Sequence, residues 1–410
     1  MDQNILKSLV IWGMAIVIFT ISLIFFFGRE PTVKIEESVY IPSEISSEIL
    51  EQARGKSVNV YAWGGSEEVN AYFRWAAQQL KNRFDIEVNH VKVNDTGNVV
   101  AKLLAYEIAG QSEGEIDVIW INGENFKKLK QANLLHGPFT EKLLNIRYVE
   151  DYLLENSYDF SELTEGLEAP WGQAQLTFFY DSDVVPVPPR NANQLFDFAK
   201  RNPKRFTYPE PPDFHGTTFL KQILFETLEN KEVLYEKVDE ALFLKYTEDF
   251  WNYLDNLHPY LWNEGKSFPS GIQKMHTMLD NREIFISFSF NPNELIKKKK
   301  NRTFSFNIRS YGHEDGTIAN AHFLAIPRSS ASKDAALVFI DFMLSPEAQG
   351  RKNDTSIWGD PTVLSLDKLN EDQRAFFVEF GSKNSIKKLR EPHADWVEFL
   401  ENEWRKRYVK

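Results

Sequence analysis

The residues best suited to chemistry in this sequence are polar and aromatic side chains that directly follow strand-like runs. Trp63-Gly64-Gly65 follows one such run. Paired glycines let a backbone approach a ligand closely, and an indole offers a stacking surface for a cation. The alternative is a tight turn with a core indole. Glu124 begins a helix after another apolar run, where its carboxylate could pair with a cationic ligand group or only complement the helix dipole.

A second group of such residues lies further along the chain. Trp171 precedes the strand that enters the second half of the sequence, where an indole could line a cleft. The proline-rich loop 208–217 ends at a helix start, whose N–H groups suit a polar ligand atom, although Thr217 could serve only as a cap. The predicted ligand-binding residues are Trp63, Gly64, Gly65, Glu124, Asn125, Trp171, Tyr208, His215, Gly216, Thr217, Asn291, Asn293, His322 and Trp358. Together they predict a polar site with aromatic walls, of a size for a sugar, an amine or a cofactor, and without catalytic groups.

Motifs that would indicate an enzyme or a metal site are weak. Residues 110–114, with Ser112 at the centre, match the G-x-S-x-G nucleophile elbow, but that elbow needs a strand before the serine and a helix after it. Here a predicted helix precedes Ser112 and a strand follows it, which favours a polar turn. His313 and His322 are better explained as loop histidines than as metal ligands. We therefore predict no catalytic residue, no metal and no cofactor; a membrane-anchored extracytoplasmic hydrolase is the alternative.

The composition excludes several classes of protein. The chain has 410 residues and no cysteine, so a disulfide scaffold, a thiolate metal site and a cysteine nucleophile are excluded. Aromatic residues make up 14% of the chain, which is incompatible with intrinsic disorder. Asp and Glu outnumber Lys and Arg by 59 to 47, a net charge of −12. This balance disfavours nucleic acid as the partner, because phosphate binding needs clustered positive charge.

The first thirty residues differ in character from the rest. Residues 8–28 carry no charge and, as a helix, would span about 30 Å, the thickness of a bilayer core. Few small residues precede a cleavage point and no cysteine is present for a lipid, so we expect an uncleaved membrane anchor; cleavage at an atypical site is the alternative. Lys7 and the N-terminal amine favour a cytoplasmic N-terminus. A tether and a short helix, capped by Ser43, are expected over residues 31–55.

The rest of the chain alternates between strand and helix patterns. Strands are predicted at 57–62, 86–93 and 116–121, each followed by a helix with an apolar stripe. This order predicts right-handed crossovers and a parallel sheet, whose ligands bind outside the carboxyl ends of the strands. A second alternating unit begins with a strand at 173–180 and includes a helical stretch at 239–257. The tail is helical, with Trp396, Phe399, Leu400 and Trp404 on one face of the last helix.

Late in the chain, several motifs are familiar. Phe323-Leu324-Ala325-Ile326-Pro327, a helix and then Ser345-Pro346-Glu347-Ala348-Gln349 resemble the tail of the family 1 extracellular solute-binding proteins of ABC transporters, which include thiamine, polyamine and ferric-iron binders. The likeness covers about residues 45–405 and is closest to the YnjB-type branch. The segments that carry this narrower resemblance are 61–65, 120–126, 168–172, 206–209, 214–217 and 358–361.

The resemblance implies an α/β, two-lobed periplasmic-binding-protein-like fold of type II. One lobe is expected from residues 56–172 and 323–410, and the other from 173–322, with the crossing strands near 173–177 and 318–323 as the hinge. The family's ferric binders use tyrosine pairs, and no matching pair is found here, so iron is disfavoured.

The resemblance also implies the partners. The expected function is to capture a small polar or cationic organic ligand between the lobes and to deliver it to an ABC permease and its ATPase; a ligand-sensing module is an alternative. Family members usually carry a cleaved signal or a lipid-modified cysteine, and this chain departs from that pattern. We therefore expect a monomer in the cell membrane, single-pass through the N-terminal helix, with its globular part extracytoplasmic.

Overall fold

The computed structural model describes residues 46–150, 158–300, 307–377 and 386–409. All of them belong to a compact unit formed by residues 43–410. The predicted anchor at 8–28 and most of the predicted tether lie outside the described residues. Within the described ranges, no helix combines the length and the apolar character that a membrane span needs.

The N-terminal part of this unit follows the predicted alternation of strands and helices. A short helix, α1 (Ser47–Ala53), is capped by Ser46 and not by Ser43 as predicted. Side-chain caps from Ser66 and Asp95 also start two of the helices that follow, satisfying N–H groups that the helix itself leaves free. The alternating elements are β1 (Ser57–Trp63), α2 (Glu67–Phe84), β2 (Glu87–Val93), α3 (Thr96–Ile108), β3 (Val118–Ile121) and α4 (Gly123–Gln131).

The large sheet is mixed, and not wholly parallel. β1 pairs in parallel with β2 and with β3, as predicted. A long strand, β10 (Thr317–Ala325), runs antiparallel to β3 and also pairs with β6 (Glu168–Gln175). The short strand β11 (Lys388–Leu389) adds in parallel to the start of β10. A separate hairpin is formed by β4 (Tyr158–Asp159) and β5 (Glu162–Leu163).

A second, smaller sheet has its own core. It consists of β7 (Thr177–Asp181) between β8 (Ile286–Ser289) and β9 (Ile308–Tyr311), all antiparallel. The strand predicted at 173–180 is therefore two strands, β6 and β7, which lie in different sheets and are separated at Leu176. The chain crosses between the sheets there and returns from β9 to β10. We call the large sheet with its helices the first lobe, including the β4–β5 hairpin, which is hydrogen-bonded to α4. The small sheet with its helices is the second lobe.

The remaining helices cover these two sheets. The stretch predicted as helical over 239–257 is divided at Thr247, where a buried threonine ends one helix and precedes the next. In the second lobe the helices are α5 (Ala192–Arg201), α6 (Phe214–Thr227), α7 (Glu240–Tyr246), α8 (Glu248–Leu257), α9 (Ile272–Asp280) and α10 (Glu294–Lys300). Short 3-10 helices occur at Thr140–Lys142, Asn145–Tyr148, Lys231–Tyr235, His258–Tyr260, Trp262–Gly265 and Leu366–Lys368. After β10 come α11 (Lys333–Met343), α12 (Pro346–Asn353), α13 (Glu371–Arg374) and, at the C-terminal end, α14 (Asp395–Tyr408).

The C-terminal helix α14 packs in the core of the second lobe. Its apolar face buries Trp396, Leu400 and Trp404 against that core, and the Trp404 indole donates to the hydroxyl of Tyr208 at 2.8 Å. The prediction placed all of residues 323–410 in the first lobe. For α14 this is corrected, because the partner of its aromatic face is the second lobe; α11, by contrast, packs in the core of the first lobe.

Candidate functional site

The two lobes meet where the start of α4 lies close to α6. Lys221 on α6 belongs to the second lobe, and its ammonium lies 4.4 Å from the ring centre of Phe160, which follows β4 in the first lobe. Glu124, in the first turn of α4, is close enough for the charges of Lys221 and Glu401 to act on it. The helix start that the sequence singled out at Glu124 therefore faces the second lobe.

Four carboxylates gather at this junction, and we call them the interlobe acidic cluster: Glu124, Asp159, Glu391 and Glu401. Two come from the first lobe, and two come from the C-terminal segment. Glu391 pairs with Lys221 at 2.6 Å and also accepts from the Asn320 amide at 2.8 Å. Glu401, on α14, accepts from the Thr217 hydroxyl at 2.6 Å. Thr217 thus binds a carboxylate, and the sequence did not identify Glu391 or Glu401.

Asp159 is the most deeply buried member of the cluster, with 1% of its surface exposed. Its Oδ2 accepts from the backbone N–H of Gly123 at 2.5 Å, while its Oδ1 has no hydrogen-bond partner among the described residues. Burial raises its pKa, and the nearby charges of Glu124 and Glu391 raise it further. Gly123 has φ +62°, and a Cβ there would lie 2.7 Å from the Phe160 ring, so glycine is needed for this approach.

Two further carboxylates of the cluster, Glu124 and Glu401, are also affected by burial. Burial raises the pKa of Glu124 and that of Glu401, because a charged carboxylate loses water contacts there. Asn125 supports Glu124 by donating to its Oε1 at 3.2 Å. A bound cation would favour the ionised form of each of these groups. The cluster is therefore suited to a positively charged ligand group.

The predicted residues Trp171, His322 and Trp358 form part of an aromatic group in the first lobe. The ring centres of Trp171 and Trp358 are 5.6 Å apart, and those of Trp171 and His322 are 5.4 Å apart. Trp120, which the sequence did not single out, packs on all three. Trp171 is fully buried, which places its indole behind the surface of the lobe.

These indoles already face an ammonium group of the chain itself. Lys352 is fully buried, and its Nζ lies 5.6 Å from the Trp171 ring centre and 5.8 Å from that of Trp358. It pairs with Asp360, whose carboxylate also contacts His322 Nε2 at 3.1 Å. Charge within this group is therefore balanced by its own residues.

Trp63 occupies a different environment. It ends β1 and is 37% exposed. A Cβ on Gly65 would lie 2.5 Å from its ring, so the indole packs directly over that glycine. The backbone N–H of Gly64 donates to Val93 at 3.3 Å, which fixes the turn to the end of β2. Trp63 thus lies at the carboxyl edge of the large sheet with its indole partly exposed.

The N–H groups at the start of α6, which were predicted to suit a polar ligand atom, are bound by a side chain of the protein itself. Asp213 caps it, with its Oδ1 accepting from the N–H groups of His215 at 2.9 Å and Gly216 at 3.2 Å, so these two N–H groups are already satisfied. A Cβ on Gly216 would lie 2.2 Å from the Pro209 carbonyl oxygen, which explains the glycine. Tyr208 is fully buried in the second lobe.

The loop after β8 makes a direct contact between the lobes. The side-chain amide of Asn293 donates to the carbonyl oxygen of Gly359 at 3.0 Å. Asn291 shapes this loop, since its Oδ1 accepts from the Asn293 N–H at 2.9 Å. Gly359 follows Trp358 and has φ +85°. This hydrogen bond exists only while the two lobes are close together.

The serine motif and the possible metal site considered in the sequence analysis are not supported by a matching arrangement of the described residues. Ser112 lies between the end of α3 and the start of β3, and lines a surface cavity of about 410 Å³ with Tyr106, Arg328 and Ser329. This is the helix-to-strand connection predicted from the sequence, and not a nucleophile elbow. Within the described ranges, no group of three or more His, Asp or Glu side chains is arranged to hold a metal ion.

Comparison with known proteins decides the family. The family model for the bacterial extracellular solute-binding proteins matches residues 75–363. Protein YnjB of Escherichia coli (strain K12) is 41% identical over 362 residues, which cover 88% of this chain and 93% of that relative. The chain belongs to the bacterial extracellular solute-binding proteins. The predicted family and the extracytoplasmic solute-binding role are thereby confirmed.

Solved structures show the same two-lobed α/β architecture for this extracellular solute-binding protein. An ABC transporter substrate-binding protein from Bradyrhizobium japonicum matches with a TM-score of 0.63 and 13% identity, covering 87% of this chain and 100% of that one. The periplasmic binding protein AfuA of Actinobacillus pleuropneumoniae, with fructose-6-phosphate bound, matches at 0.61 and 14%, covering 86% and 98%. The spermidine/putrescine binding protein PotD of Streptococcus pneumoniae matches at 0.55 and 17%, covering 80% and 94%. These neighbours are binding proteins, and their likeness establishes the fold.

Proposed function

We propose that this protein is the solute-binding component of an ABC importer, which encloses a small organic ligand between its lobes and delivers it to a membrane permease driven by an ATPase. The observation that carries this proposal is the junction itself, which combines residues of both lobes with the Asn293–Gly359 hydrogen bond. Ligand contacts made by both lobes favour the closed state over the open one. Closure then provides the signal that the permease recognises.

The predicted site residues fall into two groups under this proposal. Residues at the junction contact the ligand: Glu124, Asn125, His215, Thr217, Asn291 and Asn293, with Trp63, Gly64 and Gly65 as the wall at the edge of the large sheet. The remaining predicted residues, all buried, shape the wall from behind: Trp171, Tyr208, Gly216, His322 and Trp358. The protein needs no catalytic residue for this task. Ser112→Ala is expected to leave ligand affinity unchanged.

We further propose that residues 8–28 anchor the protein as a single-pass monomer. Support comes from their uncharged sequence and from the extracytoplasmic role of the family. A short tether would keep the binding lobes at a high effective concentration beside the permease. Cells expressing the full chain, fractionated beside cells in which residues 1–30 are replaced by a cleavable signal, test this. The native form should be released from membranes by detergent and not by salt; recovery in the soluble fraction would contradict it.

The importer proposal is tested on the full chain purified in detergent without refolding. Native mass spectrometry should show one small molecule bound per chain. Because the chain has no cysteine, Gln78→Cys on α2 and Lys200→Cys on α5 give one spin label in each lobe. The distance between labels should shorten when the released molecule is added back. The proposal is contradicted if no molecule is bound, or if adding the released molecule back leaves the distance between the labels unchanged.

A further inference from the structure

We propose that the ligand carries an ammonium group, and that the interlobe acidic cluster binds it through Glu124, Asp159 and Glu401, the last supplied by the C-terminal helix. This inference rests on the proposed function and narrows it to one chemical class. It adds to the cleft a C-terminal segment that the sequence assigned to the first lobe.

The charge balance at the junction is the first argument. Of the four carboxylates, only Glu391 has a lysine, arginine or histidine nitrogen within 4.0 Å among the described residues, and that is Lys221. Lys128 acts on Glu124 and Glu401, and Arg405 acts on Glu401, but neither lies within 4.0 Å of these carboxylates in the described part of the chain. Three partly or fully buried carboxylates thus lack a direct ion-pair partner among the described residues. Burying such groups is costly unless a positive charge compensates them, and a cationic ligand supplies it.

Two buried acceptor atoms give the second, independent argument. Asp159 Oδ1 and Asn320 Oδ1 have no hydrogen-bond donor in the described part of the chain, and both residues lie beside Glu391. A buried unpaired acceptor costs about 1–3 kcal/mol. An ammonium group offers three donors and no acceptor, so it satisfies these atoms. An alcohol would supply fewer donors, and a carboxylate or phosphate ligand would add negative charge to an acidic site.

Lys221 shows how an ammonium group is held at this junction. Its Nζ lies 4.4 Å from the Phe160 ring centre and 5.7 Å from that of Phe214. The carboxylate of Glu391 forms an ion pair with the same ammonium group. Aromatic faces attract ammonium groups most strongly where water is excluded. We expect a ligand ammonium group that binds next to Lys221 to meet the same kind of surroundings, rings beside carboxylates.

The position of Glu401 follows from how α14 is anchored. Trp396 and Trp404 hold the helix to the second lobe, by donating to the Glu236 carbonyl at 3.1 Å and to the Tyr208 hydroxyl at 2.8 Å. Its first turn is joined to the first lobe, where the Ala394 N–H donates to the Phe160 carbonyl at 3.1 Å. The helix therefore holds Glu401 between Thr217 and Glu124. Glu401 is a specificity-determining residue in this arrangement.

The experiment begins with the full chain in detergent, from which the bound molecule is released and identified by mass spectrometry. We expect a molecule with an amine. In parallel, the ligand-free chain is heated with butylamine, butanol or butyrate, which have the same carbon chain. Only butylamine should raise the melting temperature, because a ligand that binds the native state alone stabilises it.

Substitutions then test the individual carboxylates by calorimetry with the identified molecule. Glu401→Gln keeps an acceptor for Thr217 and removes the charge, and we expect the affinity to fall at least about tenfold. Glu403→Gln is the matched control, since Glu403 lies on the opposite face of α14 and pairs with Arg407; its affinity should stay within about twofold. Asp159→Asn keeps an acceptor for Gly123 and should also lose about tenfold.

The outcomes separate this inference from the proposed function. A bound molecule that is neutral or anionic, or butyrate stabilising as well as butylamine, would overturn the ammonium assignment and leave the importer role standing. Equal affinities for Glu401→Gln and Glu403→Gln would show that the C-terminal helix is not part of the ligand site. Only the absence of any bound molecule, or an unchanged distance between the lobes when the released molecule is added back, counts against the importer role.

Discussion

The ammonium of Lys221 lies 2.6 Å from the carboxylate of Glu391, and both side chains are almost completely buried. The pair joins α6 of the second lobe to the segment that leads into α14. The Asn320 amide, on the crossing strand β10, donates to the same carboxylate. The crossing strand, the second lobe and the C-terminal segment are therefore joined through one buried ion pair.

Loss of Lys221 is expected to destabilise the protein strongly. Lys221→Met leaves the Glu391 carboxylate buried with only the Asn320 amide, and removing one partner of a buried pair costs about 3–5 kcal/mol. The double variant Lys221→Met, Glu391→Gln should recover part of this loss, because no charge remains unpaired. Urea unfolding measures the free energy of unfolding of the parent, the single variant and the double variant. Lys274→Met, which changes an exposed lysine on α9, is the control. A double variant no more stable than the single one would contradict this account.

The sequence predicted local structure well where hydrophobic periodicity decides it. The strand β2 begins within one residue of the predicted start and ends at the predicted residue, and the helices α2 and α3 follow their strands as predicted, because apolar stripes mark them. The division at Leu176 could not be predicted, because residues 173–180 read as one continuous strand. Strand patterns do not reveal when neighbouring residues pair in different sheets.

The site was predictable only in part, for a related reason. Glu124 could be selected because it follows a strand and begins a helix. Glu401 could not, because an acidic residue within an amphipathic helix is typical of a solvated face. The aromatic face of α14 predicted burial correctly, but periodicity does not identify the partner, and the partner determines where Glu401 lies.

Asn293→Ala is expected to weaken ligand binding without destabilising either lobe. The hydrogen bond to Gly359, 3.0 Å long, contributes to the closed state, and a typical bond of this kind is worth about 0.5–1.5 kcal/mol. Its loss should therefore reduce affinity about two- to tenfold. Calorimetry with the co-purified molecule measures this, with Asn256→Ala, an exposed amide on α8, as the control. An unchanged affinity would show that the contact does not contribute to closure.

The two indoles Trp171 and Trp63 should respond differently to truncation. Trp171 is fully buried and packs on Trp120, Phe73 and Trp358, so Trp171→Ala should lower the free energy of unfolding by about 3–5 kcal/mol. Trp63 is partly exposed, and Trp63→Ala should cost no more than about 1 kcal/mol in stability but reduce affinity about tenfold.

Urea unfolding and calorimetry on the same two variants distinguish these roles. A Trp171→Ala variant that is as stable as the parent, but has lost binding, would place that indole in contact with the ligand. An unchanged affinity of the Trp63→Ala variant would show that the carboxyl edge of the large sheet is not part of the ligand site.

Stability should fall in acid because of His258. The Tyr208 hydroxyl accepts from Trp404 at 2.8 Å and so has its own proton to donate to His258 Nε2 at 2.7 Å. Protonation would turn that nitrogen into a donor, so that it could no longer accept this hydrogen bond from Tyr208 within the core. Burial lowers the pKa of His258 to about 4, against about 6.5 for an unfolded chain.

The direction of the effect follows from proton binding. Between pH 6.5 and 4 the unfolded state binds a proton that the folded state excludes, so stability is complete above that window and is lost as the pH falls through it. For His258 alone the loss is about 3 kcal/mol. Other groups also titrate there, so the test compares parent and His258→Gln, in which an amide oxygen can still accept from Tyr208. The stability difference between them should shift by about 3 kcal/mol in favour of the variant from pH 7 to pH 4; a constant difference would show that His258 titrates normally.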